Sequence, residues 1–252
     1  MRKPHRASST LVVIIYRLGI GGIAVMSLLA FMMPFALPRV LSWVQPEIIF
    51  LGDDNQKVLY LTIDDGPSSA TEEIMSVLAK HRVPATFFII GNHVHSDTQL
   101  SMLNEAGFSL GNHLRTTTRC SSLPLERFQE DFDFTDQLIH RFAKPAYFRP
   151  PSDFGTPDQL SYVRTKGYQP IVGTVFPLDH WVTHPAILAI LVRWLAVPGG
   201  IIIMHDGDVR GHTTAKVLDR IIPILKNRGF TFEALTKPRP SKATKSSVNL
   251  RE

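Results

Sequence analysis

From Lys57 onward the chain alternates between two hydrophobic patterns. Short, continuously apolar runs read as buried strands, and longer stretches with apolar residues at helical spacing read as amphipathic helices. Strands are expected at Val58 to Ile63, Ala85 to Ile90, Phe108 to Leu110, Tyr147 to Arg149, Tyr168 to Val172, Ile201 to Met204 and Phe230 to Phe232. Helices are expected near Thr71 to Arg82, Thr98 to Ala106, Leu125 to Phe142, Pro157 to Lys166, Pro185 to Ala196 and Thr214 to Arg228. Gly107 is a plausible stop signal for the second of these. Regular alternation of apolar strands and helices predicts an α/β fold with a parallel sheet or barrel. No internal repeat is visible.

The N-terminal pattern is different. Leu18 to Pro38 contains no charged residue and is long enough, at about 1.5 Å per residue, to cross a hydrocarbon core of about 30 Å. A basic flank precedes it, and no A-x-A cleavage pattern precedes Arg39. Residues 1–17 therefore read as a basic flank and 18–38 as an uncleaved single-pass signal anchor. Residues 39–56 read as a linker, 57–236 as the catalytic domain, and 237–252 as a disordered basic tail rich in Lys, Ser and Pro. The positive-inside rule places the start of the chain in the cytoplasm and the domain on the extracytoplasmic side.

Charge changes this picture only after it is divided. The 252 residues hold 27 Lys+Arg and 22 Asp+Glu, a formal net charge of +5. The flank and the tail each carry +4, which leaves residues 18–236 at −3. A mildly acidic domain removes the main support for a nucleic-acid partner. A single cysteine excludes an internal disulfide framework and a multi-Cys zinc site.

In α/β folds the chemistry gathers where strands end and loops begin. Here Asp64 and Asp65 follow the first expected strand, Asn112 and His113 the third, and Arg149 the fourth. Asp179 lies beyond the fifth, and His205 and Asp206 follow the sixth. Of two adjacent carboxylates, one can bind a metal while the other takes a proton from water. They repel each other, so a cation or an arginine is needed to keep both ionised. Asp-Asp-Gly-Pro is also good turn chemistry, and taken alone it reads that way.

Taken together, these residues resemble the NodB-type polysaccharide deacetylase family. T-I-D-D-G (Thr62 to Gly66) stands where the family has T-F-D-D-G, and A-T-F-F-I-I-G (Ala85 to Gly91) matches its next stretch. G-N-H (Gly111 to His113) starts the second motif, F-R-P-P (Phe148 to Pro151) matches the third, and I-I-I-M-H-D (Ile201 to Asp206) the fifth. The fourth is present weakly as V-F-P-L-D-H-W (Val175 to Trp181). The resemblance spans about residues 57–235 and implies a distorted (β/α) barrel. It implies hydrolysis of N-acetyl groups on an amino-sugar glycan, with Asp64 as base, Arg149 orienting it, His205 as general acid and Asp179 tuning that histidine. The Ser152 N–H would take the oxyanion position. Asp65 and His113 would hold a divalent metal, zinc most often, with cobalt or nickel as alternatives.

The chain departs from the family at the second metal histidine, where Thr117 stands. A neutral hydroxyl is a poor ligand beside imidazole. Three readings stay open: weaker binding by Asp65 and His113 with extra water, a substitute ligand such as His95 or Cys120, or a degenerate site on a non-catalytic glycan-binding protein. Milder departures are Ser152, where an aromatic is common, and His180, where a tryptophan follows the aspartate, with Trp181 one residue later. A phosphohydrolase built on Asp64 and Asp65 is a third class, but no phosphate-cradling glycine loop accompanies it.

Overall fold

The structure is a computed structural model that describes Met32 and residues 35–235. The chain divides after Leu37, and before that point only Met32 and residues 35–37 are described, all helical. The expected anchor at 18–38 thus lies almost wholly outside the described residues, as do the basic flank at 1–17 and the tail at 237–252. Among the described residues no helix is long and apolar enough to cross a membrane.

In the unit that follows, α1 covers residues 38–44. The remaining elements, in order, are β1 (Val58–Gly66), α2 (Thr71–His81), β2 (Thr86–Ile89), α3 (Asp97–Glu105) and β3 (Ser109–Asn112). They continue with α4 (Leu125–His140), β4 (Tyr147–Phe148), α5 (Pro157–Thr165), β5 (Gln169–Pro170), α6 (Pro185–Leu195), β6 (Ile201–His205), α7 (Asp208–Asn227) and β7 (Thr231–Glu233). Every strand and helix expected from the hydrophobic pattern has a counterpart. Several strands run further than expected, two of them into the candidate site. β1 continues to Gly66 and β6 to His205, so Asp64, Asp65 and His205 lie in the last residues of strands rather than after them. α7 starts at Asp208, six residues before the expected Thr214. Its first turns contain Gly211, Thr213 and Thr214, weak helix formers that hide the helical pattern. Tertiary packing overrides that weakness: Ala215 and Leu218 are buried, and the Thr214 hydroxyl donates to the His205 carbonyl at 2.9 Å.

All strand pairs are parallel, in the order β5-β4-β3-β2-β1-β6, with β7 also on β1. The curled sheet is bridged by the chain leaving β5. Ile171 N–H donates to the Phe148 carbonyl at 2.9 Å, whereas Val175 N–H donates to the Ile201 carbonyl at 3.0 Å. One short segment thus starts beside β4 and ends beside β6. Gly173 makes the crossing possible: its φ is 137°, and a Cβ there would lie 2.9 Å from Ile203 Cδ1. The expected linker at 39–56 docks on this segment. Ile49 N–H donates to the Pro170 carbonyl, Val172 N–H donates to the Ile49 carbonyl, and Ile48 and Phe50 are buried.

Strand periodicity decides which side chains face inward. In β1, Leu59, Leu61 and Ile63 join the main core, which includes Ile74 and Leu78 of α2 and Leu218 and Ile222 of α7. Val58 and Tyr60 instead join Phe88, Tyr147, Ile171 and Ile201 inside the curl. Thr62 and Asp64 continue the inward set by the same alternation. The rule repeats in β6, where Ile202 and Met204 belong to the outer core and Ile201 to the inner one, which sends Ile203 and His205 inward. In β4 it sends Tyr147 and then Arg149 inward. Apolar alternation at the start of each strand therefore aims polar side chains at a common interior near the strands' C-terminal ends.

Candidate active site

β1 and β6 pair in register, with Asp64 opposite His205. Asp64, Asp65, His113, Thr117, Arg149, Ser152 and His205 line one cleft of about 630 Å³. Asp179, buried, sits behind His205. The site residues expected from the sequence are thus brought together.

Arg149 is the central strut. Its Nη1–H donates to Asp64 Oδ1 at 2.6 Å and to Thr62 Oγ1 at 2.7 Å, and the Thr62 hydroxyl donates to the Ile202 carbonyl. The guanidinium lies over the Phe88 ring, 4.3 Å from its centroid. Burial lowers the Arg149 pKa and the Asp64 charge opposes that fall; the net direction is down. One oxygen of Asp64 is thereby fixed, and Oδ2 faces His113 Nε2 at 4.0 Å.

His113 Nδ1 lies 2.6 Å from the Arg149 carbonyl. A carbonyl only accepts, so Nδ1 carries the proton, and Nε2 of the neutral ring keeps its lone pair. That Nε2 faces Asp65 Oδ1 at 3.6 Å. Two ligands on one tetrahedral zinc lie about 3.4 Å apart. Asp65 and His113 therefore fit a shared divalent ion, and the backbone acceptor on Nδ1 is the partner that a liganding histidine uses. Thr117 is exposed on the wall of the same cleft. The two proposed substitutes fall elsewhere. Cys120 is buried, its thiol 3.5 Å from Gln159 Oε1, and burial raises its pKa steeply. His95 lines a separate cleft with Ser68, Gln99 and Asp206.

His205 Nδ1 meets Asp179 Oδ2 at 2.7 Å, which leaves Nε2 as the nitrogen available for proton transfer. Burial lowers the His205 pKa, but the hydrogen bond and charge of Asp179, with the charges of Asp64 and Asp65, outweigh it, and the net direction is up. Burial raises the Asp65 pKa, yet the contact with His113 and the charges of His113, His205 and Arg210 win, and its carboxyl falls well below the usual range. Asp179, His180 and His205 also offer ligand atoms within 4.8 Å of one another. Arg210 Nη1–H donates to His180 Nδ1 at 2.8 Å, however, and a bound guanidinium there argues against a cation at that histidine.

Backbone strain falls on Asp65 and Ser152, which line the cleft, and on Leu114 and Leu178, each beside a site residue. Asp65, Leu114, Ser152 and Leu178 all have φ between 62° and 68°. Ser152 thereby turns the chain after Pro150 and Pro151 along the cleft wall. Asp206 supports the Asp64–Asp65 turn: Ser68 Oγ donates to it at 2.6 Å and Thr71 Oγ1 at 2.5 Å, and its own N–H donates to the Asp64 carbonyl.

Phe176 and Arg210 line the cleft without an expected role. Phe176 stacks on His180, ring centroids 6.1 Å apart, and meets His205 edge-on. Arg210 donates to Asp65 Oδ2 at 3.0 Å. Its position five residues after His205 was the available signal, but the helix carrying it was expected to start later.

A chitooligosaccharide deacetylase of Rhizobium leguminosarum bv. trifolii is 32% identical over 203 residues, covering 73% of this chain and 92% of the relative. The solved structure of a peptidoglycan N-acetylglucosamine deacetylase shares 26% identity at a TM-score of 0.72, covering 79% of this chain and 98% of that one. A CE4 family pseudoenzyme from Bacillus anthracis also shares 26% identity, at a TM-score of 0.69, covering 75% and 67%. With the sequence profile of polysaccharide deacetylases matching residues 51–171, and a relative 32% identical over 203 residues, the chain belongs to the polysaccharide deacetylase family.

Proposed function

We propose that the protein is a metal-dependent hydrolase that removes N-acetyl groups from amino-sugar glycans of the chitin or peptidoglycan type, releasing acetate. The observation that carries this reading is the pairing of Asp64, braced by Arg149, with His205, braced by Asp179, side by side on neighbouring strands in one cleft. An amide needs a strong nucleophile, a stabilised oxyanion and a proton for the departing nitrogen. Asp64 accepts the proton of the attacking water, and Arg149 holds its carboxylate in place. The Ser152 N–H on the cleft wall takes the oxyanion role, stabilising the oxygen that gains charge. His205 delivers its Nε2 proton to the nitrogen as the C–N bond breaks, and Asp179 stabilises the imidazolium that delivers it. A divalent ion on Asp65 and His113, zinc by preference with cobalt or nickel as alternatives, would polarise the acetyl carbonyl and acidify water.

The test is acetate release from chitin oligomers and peptidoglycan fragments, with added zinc and with chelator. Asp64→Asn should abolish release while the fold stays intact. Full activity in that variant removes the assignment of the base. Thr117 favours a second reading, a non-catalytic glycan-binding protein on the same fold. Purified protein without bound zinc, cobalt or nickel, yet with affinity for chitin oligomers, would favour it.

We also propose that residues 18–38 anchor the chain, with the domain on the extracytoplasmic side. Recovery of the full chain in the soluble fraction after membranes are sedimented would contradict this.

A further inference from the structure

Arg210 stands in the first turn of α7 and lines the cleft. Its Nη2–H donates to Asp65 Oδ2 at 3.0 Å and its Nη1–H to His180 Nδ1 at 2.8 Å. The other oxygen of Asp65 faces His113 Nε2 at 3.6 Å. One carboxylate thus presents Oδ1 toward the ligand histidine and Oδ2 toward a permanent cation. A guanidinium has no lone pair to share with an ion, so at this distance it only repels one. Thr117 supplies no charge, which leaves Asp65 as the charged member of the ligand set and Arg210 as its neutraliser. The two partners differ in freedom. The Arg210 side chain is 33% exposed and can move into water, whereas Asp65 is 12% exposed and its carbonyl is bonded to His93 Nδ1 at 2.7 Å.

We propose that Arg210 is an internal competitor for the divalent ion at Asp65, so that metal entry and release of the Arg210–Asp65 pair are one exchange. This rests on the reading of Asp65 and His113 as metal ligands. Apparent affinity is then reduced by the share of molecules in which Arg210 is docked, and removing the competitor recovers it.

The experiment titrates the full chain and its Arg210→Gln and Arg210→Lys variants with Co²⁺, read by visible absorption, and with Zn²⁺, read against a chromophoric chelator. Thermal melts check the fold of each. Arg210→Gln should bind both ions about tenfold more tightly or better. Arg210→Lys, which keeps the charge, should gain less. Equal affinity in a folded Arg210→Gln overturns the proposal. Weaker affinity also overturns it and makes Arg210 a clamp that orients Asp65. If wild type, Arg210→Gln and Thr117→His all fail to bind Co²⁺, the metal-ligand reading itself fails and the proposal falls with it. Binding in wild type without a gain in Arg210→Gln overturns the Arg210 proposal alone.

Discussion

Replacing Arg149 with Met removes a guanidinium that meets Asp64 at 2.6 Å, with the two side chains only 4% and 5% exposed. Such a pair is not a surplus of stability: burying two charges costs about as much as their attraction returns. Breaking it from one side is another matter, because Asp64 is left as an uncompensated buried charge, at a cost of about 3–5 kcal/mol. Each kcal/mol moves the midpoint of a domain this size by about 2–4 °C, so Arg149→Met should lower Tm by about 6–20 °C. Asp64→Asn should cost less, about 1.5–3 kcal/mol, because it removes a charged acceptor but keeps a neutral one beside the guanidinium. The double variant should be more stable than the sum of the two single costs predicts, by about 1–3 kcal/mol. Urea denaturation followed by circular dichroism, on all four proteins, measures each free energy, and thermal melts of the same proteins measure the Tm shift. A cost below about 1 kcal/mol for Arg149→Met, or strict additivity in the cycle, would refute the reasoning.

Three further outcomes are expected. Asp179→Asn removes the charge that holds the His205 pKa up and leaves the opposing effect of burial, so the alkaline limb of the acetate-release pH profile should move to lower pH; an unmoved limb would exclude Asp179 as the tuning group. Thr117→His adds an imidazole on the cleft wall that Asp65 and His113 share, and isothermal titration with Zn²⁺ should show tighter binding. Gly173→Ala forces a Cβ to within 2.9 Å of Ile203 Cδ1 and 3.1 Å of the Ile201 carbonyl at a φ of 137°, and should cost about 1–3 kcal/mol in the same urea assay.

Much of the site was readable before the fold was known, because its residues sit at the ends of strands that apolar runs announce. Asp64, His113, Arg149 and His205 are each one alternation step beyond an inward-facing residue, so the strand pattern itself aims them. Ile48 and Phe50 were harder to place, since nothing local distinguishes an apolar pair in a linker from one packed against Leu160 and Val172. The crossing at 171–175 was invisible for a related reason: it depends on Gly173 meeting Ile203, a contact between distant segments. Arg210 stayed hidden because Gly211 and the two threonines mask the start of α7. Whether Thr117 supports an ion depends on charge across the cleft, and the sequence order of Asp65 and Arg210 says nothing about their 3.0 Å contact.

The pairing of β1 with β6 carries a consequence for how activity arises. The Thr62 hydroxyl bonds a carbonyl 140 residues further along the chain, and Asp64 faces His205 two steps beyond in the same ladder. Closing a loop of that length contributes its entropic cost before the contact contributes anything in return. Asp64 and His205 therefore cannot be brought together by any early, local piece of the chain. A nascent polypeptide that has emerged only as far as α6 already contains Asp64, Asp65, His113, Arg149 and Asp179, yet lacks the strand that completes the pair. Under the proposed roles, hydrolytic competence would be a report on global folding: it would switch on when β6 slots against β1, and a chain clipped before Ile201 would lack it.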